Sequence, residues 1–124
     1  MNWYKIAKID HLYTKSDMIR MGADGYLSEA MLVYIPLSKI TGRDPVPRTF
    51  VDESGEEREF KKGRKITAPI EVLTDDLESF ALYAGNHRVR QAEVNGQEYI
   101  LAFVECSSGN IDDYSKLGQK YELV

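Results

Sequence analysis

The chain has 124 residues, of which 43% are hydrophobic and 29% are charged, which is typical of one soluble globular domain. The 16 basic and 20 acidic residues give a net charge of -4, which disfavours non-specific attraction of the whole surface to DNA or to an anionic membrane. Cys106 is the only cysteine, so an intramolecular disulfide and a cysteine-based zinc site are excluded. No run approaches the roughly 18 apolar residues of a membrane span, and we expect a cytoplasmic protein without a membrane partner.

An amino-terminal extension, residues 1–30, is predicted to pack on a body formed by residues 31–124. Ser16 is a favoured helix N-cap and Gly22 a helix stop, which predicts one short helix between them. Residues 23–26 then indicate a turn. The apolar positions of the extension are suited to docking as a stripe: Trp3, Tyr4, Ile6, Ala7 and Ile9.

In the first half of the body, β-branched and aromatic residues predict a strand over residues 31–36, followed by a short helical turn or loop. Two prolines and a glycine predict a loop over residues 41–48. The apolar pieces 49–51 and 59–60 flank an acidic stretch around Gly55. This pattern predicts a hairpin that projects into solvent.

The hairpin leads into the densest positive charge of the chain, residues 61–65. We interpret this region first as a solvated hairpin with local pairing between its acidic tip and its basic base. The alternative is a nucleic-acid contact in which basic side chains bind phosphates. The side chains concerned are Lys61, Lys62, Arg64 and Lys65.

In the second half, residues 66–73 are strand-like, and Pro69 within them indicates an edge strand or a strand start. Residues 80–84 predict a short buried strand, and residues 98–105 predict a final strand. The tail from residue 110 to residue 124 is consistent with a short helix that has a frayed end. The order of elements predicts a mixed α+β fold, with a small mixed sheet and short helices, rather than a regular βαβ alternation.

A helix is predicted to follow the strand over residues 80–84. Its pattern puts Val89 and Ala92 on one face, and the pair 95–96, Asn-Gly, ends it. Gly85 stands between the strand and the helix. A glycine there allows a tight turn and a close backbone approach that a bulkier residue would forbid.

The residues after Gly85 have the chemistry of an anion site. Asn86 is a favoured N-cap, and the backbone N–H groups that follow an N-cap have no intrahelical acceptor. Such a helix start carries roughly half a positive charge and attracts phosphate. His87 and Arg88 lie in the first turn, where cations are disfavoured unless an anion is present. The planar guanidinium of Arg88 can hold two oxygens of a phosphate or a carboxylate.

A purely structural interpretation of the same residues is equally open. Arg88 and Arg90 could pair with nearby carboxylates, and His87 could be a histidine at a helix start with no ligand to bind. The candidate carboxylates are Asp75, Asp76 and Glu93. A lone glycine-led turn is a weak signal, so the surrounding sequence has to distinguish an anion site from a purely structural turn.

Four segments in order, "VYIPLSKI", "RDPVPR", "ITAPIEVL" and "FALYAGNHRVRQAEVNGQEYILAFV", resemble the ParB/sulfiredoxin superfamily. An I-P-hydrophobic strand, a P-I-V strand and a G-x-H-R or G-x-R-R helix start recur in that superfamily in this order. The resemblance covers about Val33 to Val104. The ordered set is more specific than its last motif alone.

The resemblance implies a small α+β domain in which the glycine-led turn cradles the phosphates of a nucleotide. The ligand implied is a nucleoside di- or triphosphate, with Mg²⁺ as an accompanying ion left open. The compact form resembles versions found in phages or mobile elements. The residues implied to bind phosphate are Gly85, Asn86, His87 and Arg88, with Arg48 and Ser38 as contributors across the groove.

The sequence also departs from the superfamily pattern. Sulfiredoxins carry a catalytic cysteine where this chain has Asn86, and Cys106 lies beyond the last strand. Cysteine sulfinic acid reductase activity is therefore not expected. Chromosome-partitioning ParB proteins continue with a Glu-Asn-x-x-Arg helix, but Glu105 is followed here by "CSSGNIDDYS", so neither a clamp cycle nor operator recognition is expected.

Three classes of function remain. A nucleotide-dependent phosphotransferase, similar to the free-serine kinases of the superfamily, would need a carboxylate as base or metal ligand, and the candidates are Asp44, Glu71 and Glu105. A DNA-binding or nuclease-type ParB-like protein is the runner-up, favoured by the basic residues 61–65 but not by the acidic balance. The third is a non-catalytic regulatory or interaction module. Sequence leaves catalytic residues, metal ligands and oligomeric state open.

Overall fold

The computed structural model describes residues 12–121. Within this range the chain forms three short helices, a six-stranded mixed sheet and a separate two-stranded sheet. The prediction of a mixed α+β fold is thus confirmed. The strands are β1 (Tyr13–Thr14), β2 (Glu29–Pro36), β3 (Ile40–Thr41), β4 (Thr49–Val51), β5 (Glu57–Glu59), β6 (Ile70–Thr74), β7 (Phe80–Ala84) and β8 (Tyr99–Cys106), and the helices are α1 (Lys15–Arg20), α2 (Asn86–Val94) and α3 (Ile111–Lys120).

The six-stranded sheet has the order β1-β2-β8-β6-β7-β3 and is strongly curled. In a flat sheet, four strand spacings of about 4.8 Å would put β3 roughly 19 Å from β2. The 3-10 turn Leu37–Lys39 is all that joins these two strands. From Pro36 to Ile40 the chain can span roughly 14 Å at most. The sheet therefore curls until its β3 edge approaches β2.

The two faces of the sheet carry two cores. Alternate side chains of a strand point to opposite faces, so Val33 and Ala102 enter one core while Leu32 and Phe103 enter the other. The first core receives buried side chains of both long helices. Helix α2 contributes Val89 and Ala92, as its pattern predicted, and helix α3 contributes Tyr114 and Leu117. The second core is covered by residues of the extension: Met18, Ala23, Leu27 and Ala30.

Helix α1 begins two residues earlier than predicted. Its N-cap is Thr14, whose Oγ1 accepts from the Asp17 N–H at 3.2 Å, while the Asp17 carboxylate accepts from the Thr14 N–H at 3.0 Å. This reciprocal capping box satisfies two N–H groups, so the prediction of Ser16 as N-cap is wrong. The stop at Gly22, with φ +93°, follows directly after the C-cap. The apolar stripe predicted for residues 3–9 lies outside the described residues.

Strand β6 clarifies the meaning of Pro69. The strand begins at Ile70, immediately after the proline, and is paired on both sides, with β8 in parallel and with β7 in antiparallel orientation. A proline lacks the N–H that a central strand needs, so it can precede such a strand but not lie within it. Pro69 therefore marks a strand start and not an edge strand.

The hairpin of β4 and β5 is anchored at its base. Its tip is exposed as predicted. The rings of Phe50 and Phe60 lie 4.7 Å apart and contact His87, with centroid distances of 4.6 and 5.7 Å. Phe60 is buried. The prediction that the hairpin projects into solvent is therefore wrong for its base, because two aromatic side chains fix it to α2.

In the part of the chain that is described, no helix has the length and apolarity needed to cross a membrane.

Candidate functional site

The turn between β7 and α2 is built around Gly85. This residue has φ +121° and ψ +27° and is the N-cap of α2. A Cβ atom added to it would lie 2.6 Å from Ile70 Cγ2. Both the backbone conformation and the space exclude side chains here. The prediction of Asn86 as N-cap is wrong, since Asn86 is the first helical residue and its Oδ1 accepts from the Asp44 N–H at 2.8 Å.

The first turn of α2 presents free backbone donors. The first backbone bond of the helix runs from the Val89 N–H to the Gly85 carbonyl at 2.9 Å. The N–H groups of Asn86, His87 and Arg88 donate to no acceptor within residues 12–121. Helix starts leave such groups unsatisfied and positively polarised. The turn can therefore accept an anion on three consecutive donors.

The Arg88 guanidinium already has two partners. It donates to the Pro69 carbonyl at 2.6 Å and to the Asp24 carboxylate at 2.6 Å, and 22% of the side chain is exposed. Its partner is thus a residue of the extension and neither Asp75, Asp76 nor Glu93. Asp24 is half-exposed. The Asp24 carboxylate is therefore bound to the Arg88 guanidinium, next to the N–H groups at the start of α2.

Arg48 reaches the same region through the hairpin. Its Nε donates to the Phe60 carbonyl at 3.1 Å and lies 4.0 Å from the Glu59 carboxylate. Because the Phe60 ring contacts His87, Arg48 lies close to the start of α2. His87 itself remains exposed. Arg48 is thus linked to the turn only indirectly, through Phe60.

Ser38 lies at the other end of β7. It belongs to the 3-10 turn that precedes β3, and β3 pairs in parallel with the start of β7, Ile40 with Phe80. Gly85 follows Phe80 by five residues, or roughly 16 Å along an extended strand. Ser38 instead lines a cleft with Lys39 and Tyr99. It is not brought together with the turn.

Two of the three candidate carboxylates serve the backbone of the extension. Glu71 is fully buried, and its Oε1 accepts from the Gly25 and Tyr26 N–H groups at 3.1 and 3.2 Å. Glu105 accepts from the N–H groups of residues 28 and 29 at 2.8 and 3.1 Å. We name residues 24–29 the tethered segment. Three of its links to the body, through Glu71, Glu105 and Arg88, use charged side chains.

Asp44 is the candidate carboxylate that remains exposed. Its backbone is held by Asn86 at the start of α2, so its side chain is attached beside the free donors. Among residues 12–121 no group of three or more His, Cys, Asp or Glu side chains is arranged to hold a metal ion.

Residues 61–65, which we name the basic segment, lie along α2. The side-chain amide of Gln91 donates to the Lys61 carbonyl at 2.8 Å. Asn95 accepts from the Gly63 N–H at 2.7 Å and donates to the Arg64 carbonyl at 3.0 Å. Gln91 and Asn95 are four residues apart and so share a helix face with His87. The backbone of the basic segment is thus held by neutral amides.

The basic side chains are exposed, and none forms an ion pair with any residue between 12 and 121: Lys61, Lys62, Arg64 and Lys65. The acidic tip pairs within the hairpin instead, where Arg58 lies 2.6 Å from Asp52 and 3.7 Å from Glu56. The interpretation that the tip neutralises the basic base is therefore wrong. Arg58 is closer along the hairpin and takes both carboxylates.

Cys106 has no nucleophilic character at neutral pH. Its side chain is buried in the first core. Burial, reinforced by the negative charges of Asp113, Glu105 and Glu29, raises the pKa of the Cys106 thiol to about 12. The thiol, not the reactive thiolate, is the form present in the fold at neutral pH. Cys106 is thus a packing residue.

Several contacts of the site escape sequence reasoning. The pair of Asp24 with Arg88 spans 64 positions, and the contact of Phe50 with His87 spans a loop and a hairpin. One signal was present: Gln91 and Asn95 place two amides on one face of the predicted helix, which indicates a face that holds backbone rather than solvent. Comparison with protein-family models finds no match for the chain, and no curated protein matches it significantly.

Proposed function

We propose that the turn at the start of α2 binds the phosphate groups of a nucleoside di- or triphosphate. The observation that carries this proposal is the set of three consecutive free N–H groups, of Asn86, His87 and Arg88, at the start of a nine-residue helix. Gly85 lets this turn pack directly against Ile70, where a side chain would clash. A phosphate supplies the negative charge and the several acceptor oxygens that such donors need.

The neighbouring side chains supply charge to the bound phosphates. Arg88 would exchange the half-exposed Asp24 carboxylate for a phosphate oxygen, because a guanidinium binds both in the same geometry. Arg48 is half-exposed beside Phe60 and supplies a second positive charge. Asp44 would hold Mg²⁺ if a metal accompanies the nucleotide. A phosphotransferase reaction is compatible with these residues and is the reaction class we propose to test.

The resemblance to the ParB/sulfiredoxin superfamily supports the same proposal. The curled mixed sheet ends one strand at Gly85 and starts a helix there, as a glycine-led phosphate cradle requires. A ParB-like fold is therefore proposed together with the nucleotide site. Glu71 and Glu105 are left outside the proposed chemistry, because Oε1 of each already accepts backbone N–H groups of the tethered segment.

Thermal unfolding with a panel of nucleoside di- and triphosphates, with and without Mg²⁺, tests the nucleotide site. A ligand at 100 times its Kd should stabilise the fold by about 2.7 kcal/mol. The variant Arg88→Ala should lose this stabilisation. The matched control is Arg90→Ala, which removes an arginine of the same helix that lies 3.9 Å from Glu93. A wild-type protein that no nucleotide stabilises would refute the proposal.

Binding of nucleic acid is the second candidate function. It rests on a separate observation, namely that four exposed basic side chains of the basic segment have no ion pair among the described residues. Unpaired cations on a segment with a fixed backbone are suited to successive phosphates. This local charge exists although the chain as a whole carries a net charge of -4.

A further inference from the structure

Two clefts have Tyr34 in their walls, and the first of them lies beside the basic segment. The first has a volume of about 420 Å³ and is lined by Arg64, Lys65 and Tyr34 among others. The second has a volume of about 660 Å³ and is lined by Tyr34, Tyr99 and Lys120 among others. Because Tyr34 lines both, the two clefts are adjacent, and we refer to them together as the groove. The groove leads from the free cations to a pair of tyrosines.

The two tyrosines lie on one face of neighbouring strands. Tyr34 of β2 pairs with Leu101 of β8, and Pro36 pairs with Tyr99, so Tyr34 and Tyr99 are diagonal neighbours. On the same face, Leu32 and Phe103 are covered by residues 18–27. That cover does not extend to the tyrosines, which are 38% and 51% exposed. Two aromatic side chains thus stand side by side in an open groove.

Charge and shape together define the ligand. At one end, Arg64 and Lys65 line the first cleft and form no ion pair among residues 12–121. These cations are suited to the successive phosphates of a nucleic-acid chain. Lys39 and Lys120 line the other end, where both pair with Glu78 and lie within 6 Å of the Tyr121 ring. Exposed aromatic faces next to phosphate-binding cations are the elements of base stacking. Only unpaired bases can reach such faces, so a duplex does not fit.

We propose that this groove binds single-stranded nucleic acid. The phosphates lie on the basic segment, and two bases stack on Tyr34 and Tyr99. The proposal rests on the second candidate function and is independent of the nucleotide site at Gly85. It adds which form of nucleic acid is bound and which aromatic residues bind it.

Fluorescence anisotropy with a labelled 12-residue oligothymidine and with a 12-base-pair duplex, at several salt concentrations, tests the proposal. The single strand should bind more tightly than the duplex. Tyr34→Ala and Tyr99→Ala should each weaken single-strand binding roughly 5- to 100-fold, without changing its salt dependence. The double variant Arg64→Ala plus Lys65→Ala removes the two basic-segment cations that line the first cleft. It should reduce the slope of log K against log salt by about 1.4, since each phosphate contact on a single strand contributes about 0.7.

Tyr83→Ala is the matched control, because Tyr83 is also 51% exposed but lies on β7 and lines neither cleft. Thermal unfolding verifies that each variant is folded. Binding that persists unchanged in both tyrosine variants, or that favours the duplex, overturns the groove and leaves the basic segment as a duplex or non-specific contact. Absence of binding to either oligonucleotide overturns the groove and the second candidate function together, while the nucleotide panel still reports on Gly85 separately.

Discussion

Two segments are fixed to the body by hydrogen bonds of their backbones: the tethered segment, residues 24–29, and the basic segment, residues 61–65. They differ in the side chains that bind these backbone groups. In the tethered segment the backbone N–H groups donate to the carboxylates of Glu71 and Glu105. In the basic segment the backbone is held by the amides of Gln91 and Asn95. Charged side chains hold the backbone in the first region, whereas those of the second form no ion pair with any residue that the structure describes.

This difference separates charges that stabilise the fold from charges that can bind a ligand. In Glu71 and Glu105 the Oε1 atom already accepts two backbone N–H groups, so these two charges hold the tethered segment. A neutral amide satisfies the backbone equally well and leaves nearby cations available to solvent. Arg88 stands between the two cases, because its carboxylate partner is half-exposed and can be displaced.

Glu71→Ala should produce the largest effect on stability. The change leaves the Gly25 and Tyr26 N–H groups without their acceptor and opens space in a fully buried site, so we expect a loss of about 3 kcal/mol or more. Glu71→Gln keeps one acceptor oxygen and should lose less. Chemical denaturation measures both. A loss below about 1 kcal/mol for Glu71→Ala would show that the tethered segment does not depend on this carboxylate.

Asn95→Ala should have an intermediate effect on stability and tests the backbone anchor of the basic segment separately from its charge. The variant removes the acceptor of the Gly63 N–H and the donor to the Arg64 carbonyl, at an expected loss of about 1 kcal/mol. It removes no charge from the basic segment. Oligonucleotide affinity should nevertheless fall, because the cations would no longer be held in place. Unchanged affinity would mean that the backbone anchor has no role in binding.

Asp24→Asn should have the smallest effect on stability, below about 1 kcal/mol, because it weakens a half-exposed ion pair. The same variant is expected to bind nucleotide more tightly than the wild-type protein. Arg88 is released from its internal carboxylate, so nucleotide affinity measured by calorimetry should rise. Glu53→Gln, which removes one negative charge from the exposed hairpin, controls for net charge. Equal affinities in Asp24→Asn and the wild-type protein would argue against Arg88 as a phosphate ligand.

Much of the fold could be predicted because its signals are local. The strand over residues 80–84 is observed with the predicted bounds. Val89 and Ala92 face the core as their spacing indicates, and α2 ends within two residues of Asn95–Gly96. The predicted N-caps were less accurate. The observed caps are Thr14 instead of Ser16 and Gly85 instead of Asn86. A cap depends on backbone angles that residue preferences alone do not decide.

The candidate site was predictable as a turn but not as a set of contacts. Gly85 and the three residues after it occupy adjacent positions, so their proximity needs no tertiary information. Ser38 was grouped with them by resemblance, yet it lies at the other end of β7. The position of Ser38 depends on how the sheet curls, and the curl cannot be predicted from the order of residues along the chain.

By itself, the sequence determined the small α+β class, the strand over residues 80–84 and the glycine-led turn, because each depends on periodicity or on backbone limits within a few residues. Only the tertiary structure decided which charges are free. Asp24 meets Arg88 and Glu71 meets residues 25–26 across more than 40 positions, and Tyr34 and Tyr99 become neighbours only through the pairing of β2 with β8. Strand order, not local pattern, sets these partners.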